Sequence, residues 1–302
     1  MDKTILYQTF SLSYKSFTPG TITRTTPLVL IHGFAEDSSI WDHQTAYLKN
    51  NHRLIIPDLP GSGRSSLLPD DTSSPLPGNP FSPLSGNSSS PLSGNSSSPL
   101  SGNSGMEELA GAVKAILDAE EVSECILVGH SMGGYITLAF AELYPEMVKA
   151  FGLFHSTSYA DSEEKKAARR KGIDFIRKNG AAPFIKQTTS NLFSETSRNR
   201  HPEWINTLIE RYTDFNPDSL IRYYEAMIRR PDRSHVLRQF PRPVLFIIGE
   251  EDSMIPLTIS LQQSHMPNVS YIYVLEHAGH MGMLESSSRA GHILEEFLNE
   301  LI

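Results

Sequence analysis

Residues 125–134 read Cys125-Ile126-Leu127-Val128-Gly129-His130-Ser131-Met132-Gly133-Gly134, and the stretch 133–143 that continues them is apolar nearly all round. A short apolar run, a Gly-x-Ser-x-Gly pentapeptide and a long apolar stretch suggest a buried strand, a sharp turn bearing a serine, and a central buried helix. Glycines on both sides of the serine let strand and helix approach without side-chain clash. The helix N-terminus places positive potential where charge on a substrate oxygen would develop. The pentapeptide alone would equally suit a glycine-rich turn with a capping serine, so the surroundings decide its meaning.

Outward from this turn the chain alternates strands and helices. Segments 5–10 and 12–17 alternate apolar and polar residues and predict an antiparallel pair. Segments 27–31 (PLVLI), 53–57 (RLIIP), 125–129 (CILVG), 150–154 (AFGLF), 243–248 (PVLFII) and 270–275 (SYIYVL) are short, apolar and bounded by turn residues, as buried parallel strands are. Helical patterns at 107–118, 133–143 and 287–301 separate or close them, which predicts an α/β sheet covered on both faces. Residues 156–235 break the alternation, with amphipathic stretches at 162–178, 202–212 and 218–229 and no convincing strand. They read as a helical cap inserted into a core made of 1–155 and 236–302.

Charge follows the same division. The chain of 302 residues has 26 Lys+Arg, 34 Asp+Glu and a net charge of -8, yet 156–235 hold 15 basic and 11 acidic residues. The cap is therefore at +4 and the remainder at -12. An acidic whole argues against nucleic acid as a partner, no run reaches the ~18 apolar residues of a membrane span, and residues 1–17 show no secretory apolar region. A single cysteine rules out an internal disulfide framework and a multi-cysteine metal site. A cytoplasmic protein, monomer or homodimer, is expected. Residues 72–103 are four tandem octads with 12 Ser, 6 Pro, 4 Gly and no charge, the last two both reading SSSPLSGN. Five apolar side chains in that stretch cannot offset its ordering entropy, which predicts a disordered insertion.

Serine is a weak nucleophile until a base takes its proton. The strand 243–248 runs into Gly249-Glu250-Glu251-Asp252, and the strand 270–275 runs into Glu276-His277-Ala278-Gly279-His280. Both loops fall on the same sheet edge as Ser131, where ligands of α/β folds bind. Glu250, Glu251 and Asp252 compete for the acid, and His277 and His280 for the base. Two backbone amides are needed to hold an oxyanion. Met132, directly after the serine, supplies one, and Phe34 in the loop His32-Gly33-Phe34-Ala35 is the choice for the other. His32 precedes the serine and lies in the wrong chain order for the base. Trp41, Phe154 and His155 are pocket candidates, each equally readable as plain packing, as are Tyr223 and Tyr224.

Taken together, HGF (32–34), DLPGSGRS (58–65), GHSMGG (129–134), GEEDSMIP (249–256) and AGH (278–280) resemble the α/β-hydrolase fold of the capped, serine-nucleophile type. The resemblance spans most of the chain and implies a mostly parallel central sheet of about eight strands, covered by helices on both faces, with an inserted helical cap. It implies Asp252 as the acid, because the family pattern G-x-x-D-x-x-x-P falls on Gly249, Asp252 and Pro256. It implies His280 as the base, because the family's late Gly-His falls on Gly279-His280. Residues 66–105 are far longer than in relatives. Dehalogenases and epoxide hydrolases of the fold carry aspartate where Ser131 stands, and prolyl iminopeptidases usually carry Trp where Met132 stands.

The expectation is a cofactor-free, metal-free serine hydrolase. It would cleave a small carboxylic ester, thioester or lactone through an acyl-enzyme, as carboxylesterases, enol-lactonases and methyl-ester hydrolases do. A carbon–carbon bond hydrolase, a cofactor-free lyase or perhydrolase, and a slow-turnover small-molecule receptor are alternatives on the same residues. The basic run Lys165, Lys166, Arg169, Arg170, Lys171 reads first as a solvated helix face. An anionic substrate is the sharper reading.

Overall fold

In the computed structural model, residues 1–20, 26–67 and 105–301 are described, so the octad repeat lies outside the described residues. The strands are β1 (Asp2–Tyr7), β2 (Phe10–Phe17), β3 (Leu28–Ile31), β4 (Leu54–Pro57), β5 (Cys125–His130), β6 (Val148–Phe154), β7 (Val244–Gly249) and β8 (Ser270–Leu275). They form one eight-stranded sheet in the order β1-β2-β4-β3-β5-β6-β7-β8. From β4 to β8 every pairing is parallel, while β1 and β2 join antiparallel at one side.

The helices are α1 (Asp42–Leu48), α2 (Met106–Ala119), α3 (Met132–Leu143), α4 (Glu163–Asn179), α5 (Ala181–Thr188), α6 (Glu195–Arg200), α7 (Pro202–Tyr212), α8 (Pro217–Arg229), α9 (Ser234–Gln239), α10 (Leu257–Ser264), α11 (Gly282–Glu285) and α12 (Ser287–Glu300). Two-residue periodicity divides the sheet's side chains between two cores. Val29, Ile31, Leu127, Phe151 and Phe246 pack with α2 and α3. Leu28, Leu30, Val128, Phe154 and Ile247 pack with α1, α12 and the helical segment. With apolar layers on both sides, the central strands need no polar alternation. Cys125 opens β5 fully buried, its thiol pushed up to about 12 by desolvation, and packs as a small apolar residue.

Three local expectations change. The first hairpin turns earlier, with β1 beginning three residues before segment 5–10 and β2 two residues before segment 12–17, because the two-residue loop Gln8-Thr9 joins Tyr7 to its partner Phe10, and Gln8 takes a positive φ of 53° in that turn. Segment 270–275 is a sheet edge rather than a buried strand, with Ile272 40% and Val274 42% exposed. Its pattern is as apolar as that of a central strand, so sequence gives no warning. Between β6 and β7 the described chain is helical, as expected, but it forms α4 to α9 rather than three helices. The shorter α5, α6 and α9 are too brief to establish a helical period.

Because β3 and β5 to β8 run parallel, their C-terminal ends share one edge, and the loops after them converge there. Phe151, at the centre of β6 and packed against Phe240 at 4.7 Å, measures how strongly the sheet depends on its core. Phe151→Ala is expected to lower unfolding stability by about 3–5 kcal/mol in urea denaturation.

Candidate active site

The turn between β5 and α3 holds Ser131 at φ 50° and ψ -114°, outside the regions an L-residue ordinarily occupies. Such backbone persists only when its surroundings hold it. Here a Cβ on Gly129 would overlap the Gly133 carbonyl, and one on Gly133 would overlap the Ile31 carbonyl at the end of β3. The strain points Ser131 Oγ away from the chain, 2.9 Å from His280 Nε2. His280 Nδ1 in turn donates to Asp252 Oδ2 at 2.8 Å.

Asp252 follows β7 and is buried. Its other oxygen accepts the amides of Met254 at 2.8 Å and Ile255 at 3.0 Å, which fixes the carboxylate's orientation. Burial opposes its charge, but the neighbouring His280 and His155 rings outweigh that and hold it well below the usual carboxylate range. A carboxylate thus stays ionised behind an imidazole that faces a serine. In such a chain the imidazole can take a proton from the hydroxyl while the carboxylate orients the ring.

The structure separates the competing candidates. Glu250, Glu251 and His277 cluster on the surface, with His277 74% exposed, and none of them reaches Ser131. His32 is buried, its Nε2 accepting the Leu59 amide at 3.0 Å. Met132 is the first residue of α3, where helix amides lack intrahelical acceptors. The Phe34 amide donates to no acceptor among the described residues, and the Phe34 side chain lines the cavity that contains Ser131 and His280.

That cavity has a volume of about 290 Å³, and its apolar wall includes Tyr135, Phe184, Leu208, Tyr224 and Met227. Trp41, Phe154 and His155 are not part of the wall, which corrects the expectation. Trp41 and Phe154 are fully buried in the core on the α1 side, edge-to-face at 5.4 Å. Phe154 ends β6 with its ring on the face opposite α3, where the pleat directs it. His155 lies behind the site, and burial lowers its pKa to about 4, so the ring is neutral. Its Nδ1 is 3.0 Å from the Gly249 amide and 3.3 Å from Asp252 Oδ2, and it can accept from the first or donate to the second, not both. Tyr224 stacks on Phe34 at 4.3 Å, whereas Tyr223 bonds to Ser62 and the Pro60 carbonyl, outside the cavity.

Sequence reasoning missed three residues that hold the loops together. Glu36 Oε2 accepts the Gly33 amide at 2.6 Å and faces His130 Nδ1 at 3.0 Å. His130 Nε2 faces the His280 carbonyl at 3.0 Å. Both ring nitrogens of His130 meet acceptors, so only the doubly protonated ring satisfies both. Desolvation disfavours that charge, but Glu36 outweighs it and raises the His130 pKa, while His130 holds Glu36 below its ordinary value. Gly33 is needed less for its turn than for closeness, since a Cβ there would meet His130 and Glu36. Glu285 is the third such residue. It accepts the Gly279 and Met281 amides on either side of His280 at 2.9 and 3.1 Å, and the Ser194 amide of the helical segment at 2.9 Å. An acid three residues after Gly33, and the histidine inside the serine pentapeptide, were the available signals.

With this geometry established, comparison with known proteins adds the family. Residues 26–287 match the alpha/beta hydrolase fold family. The chain is 24% identical over 91% of its length to the dihydrolipoyllysine-residue acetyltransferase component of an acetoin cleaving system from Pseudomonas putida, and spans 64% of that longer protein. It is 25% identical over 90% of its length to a 2-hydroxy-6-oxononadienedioate/2-hydroxy-6-oxononatrienedioate hydrolase from Paraburkholderia phymatum, covering 87% of it. Among solved structures, a thermophilic esterase from Thermogutta terrifontis superposes with a TM-score of 0.82 at 23% identity, over 100% of this chain and 99% of that one.

The buried Glu36–His130 pair should set a pH window for stability. His130, with its pKa raised from 6.5, contributes fully below 6.5 and loses its contribution as pH rises through the folded value. Glu36, lowered from 4.5, contributes above 4.5 and loses its contribution as pH falls through its folded value. Glu36→Gln is therefore expected to cost about 3 kcal/mol, read as a fall in Tm. The gap to the unmodified protein should be widest between pH 4.5 and 6.5 and narrow on both sides.

Proposed function

The chain belongs to the alpha/beta hydrolase fold family, and we propose that it is a serine hydrolase that cleaves a small carboxylic ester, thioester or lactone through an acyl-enzyme. The observation that carries this reading is the chain of contacts from Ser131 Oγ through His280 to Asp252, at 2.9 and 2.8 Å, opening into an apolar cavity. Residues 156–235 serve as the cap over that cavity, supplying Phe184, Leu208 and Tyr224 to its wall.

In this reading His280 Nε2 takes the Ser131 proton as Oγ attacks the substrate carbonyl. Asp252 holds the ring in the tautomer that leaves Nε2 free to accept, and stabilises the imidazolium that forms. The oxyanion is received by the Phe34 and Met132 amides, at the end of α3 where the helix field is positive. His280 returns the proton to the leaving alcohol, thiol or ring oxygen. Water then enters, gives its proton to His280, and releases the acid from Ser131. Glu36, His130 and Glu285 keep the two loops in register and act through the groups they position.

A second reading, cleavage of a carbon–carbon bond beside a ketone, uses the same residues. It is favoured by the match to the Paraburkholderia phymatum hydrolase, which is named for an oxo acid and not for an ester. Identification of the products separates the two.

A panel of p-nitrophenyl esters of increasing acyl length tests the proposal. Short acyl chains are expected to turn over, consistent with the modest cavity. Ser131→Ala should lower kcat by a factor of ~10³ or more while leaving the circular dichroism spectrum unchanged. Undiminished turnover by folded Ser131→Ala would contradict the proposal.

A further inference from the structure

Beside the apolar wall lies a buried charge cluster that does not balance. Asp161 and Arg230 have side chains 1% and 3% exposed, with Arg230 Nη1 3.0 Å from Asp161 Oδ2 and Nη2 3.1 Å from Oδ1. Arg169, on α4, donates its Nε to the same Asp161 Oδ2 at 2.6 Å and its Nη2 to Oδ1 at 3.4 Å. Two guanidinium groups share one carboxylate, so the cluster carries one positive charge in excess. Arg230 rests over the Tyr135 ring at 3.8 Å and Arg169 over the Tyr224 ring at 5.5 Å. Aromatic faces attract a cation but do not neutralise it. Glu36, an acid that also reaches the cavity, is committed to His130.

Arg169 lines the cavity of Ser131 and His280 with its side chain 19% exposed, and its Nη1 has no partner among the described residues. Lys165, one turn earlier on α4, lines the same cavity, whereas Lys166 pairs with Glu163 on the surface. The basic run 165–171 is therefore split, with one edge turned into the site. A charge held away from water calls for a counter-ion, and a guanidinium edge receives a carboxylate through matched donors better than any other anion-binding side chain.

We propose that the cavity takes a substrate carrying a carboxylate, which the open edge of Arg169 receives while the scissile carbonyl lies at Ser131. This rests on the hydrolase reading and narrows it to half-esters of dicarboxylic acids and to lactones or oxo acids with a free carboxylate. Arg169 lies over the Tyr224 ring at 5.5 Å and Tyr224 stacks on Phe34, so the specificity group is linked through one ring to the loop that supplies the proposed oxyanion amide.

The test uses two esters that share the glutaryl chain, mono-p-nitrophenyl glutarate and its methyl ester. The unmodified protein is expected to favour the anion in kcat/KM by on the order of 10- to 100-fold, chiefly through KM. Arg169→Met should remove that preference and Arg169→Lys should keep part of it. Asp161 retains Arg230 in both variants, and Tm confirms that they fold. A second arm needs no turnover: calorimetric titration of Ser131→Ala with monomethyl glutarate and dimethyl glutarate should show the same preference for the anion. Equal kcat/KM for the two esters, or an anion preference that survives Arg169→Met, overturns the inference. Anion-selective binding without turnover of either ester supports the inference and overturns the hydrolase reading alone.

Discussion

The constraint on which the site depends is the closeness of β5, β3 and α3 around Ser131. Strand, helix and neighbouring strand meet so tightly that neither Gly129 nor Gly133 has room for a Cβ. The serine between them is forced to φ 50°, a conformation that costs on the order of 1–3 kcal/mol. The sheet offsets this cost, because the Ser131 amide still donates to the Phe154 carbonyl at 2.9 Å and so continues the β5–β6 ladder into the turn. Fold stability is thus converted into the exposure of one hydroxyl at the end of a buried helix.

Electrostatics completes what the turn begins. Three buried histidines stand near one another, with His130 5.0 Å and His155 5.8 Å from His280 between ring centroids, yet their environments differ. His130 meets a carboxylate and a carbonyl, which favour its charged form; His155 lies 3.0 Å from an amide donor and 3.3 Å from Asp252, and burial keeps it neutral. Only His280 touches both a carboxylate and the serine hydroxyl. The backbone contact from His130 to the His280 carbonyl, together with Glu285 around Gly279 and Met281, holds the loop that carries it. Positioning therefore comes from polar groups buried in matched pairs, not from the apolar core alone.

Much of this is legible in the sequence. Strand placement was readable because six segments carry short apolar runs ended by turn residues, and parallel order then brings their C-terminal loops together. Glu250, Glu251 and Asp252 could not be ranked by residue chemistry, since three neighbouring carboxylates differ only in the direction that the turn after β7 gives each. Resemblance to the family pattern singled out Asp252 and His280, which are the pair that meets Ser131. Trp41 and Phe154 were misplaced because nearness in sequence to a loop of the site says nothing of which sheet face a side chain takes. The split of the basic run on α4 was hidden for a related reason. Its inner edge is defined by Asp161, Tyr224 and Arg230, which only the tertiary fold brings alongside.

Ser131 is the proposed nucleophile, activated through His280. Treatment with diethyl p-nitrophenyl phosphate followed by intact-mass and peptide mass spectrometry tests it most directly, because the reagent traps an activated serine as a stable phosphoryl ester. A single diethylphosphoryl adduct on Ser131 is expected, formed in parallel with loss of esterase activity and slowed in His280→Ala. An adduct confined to another residue, or full esterase loss with Ser131 unmodified, would contradict it.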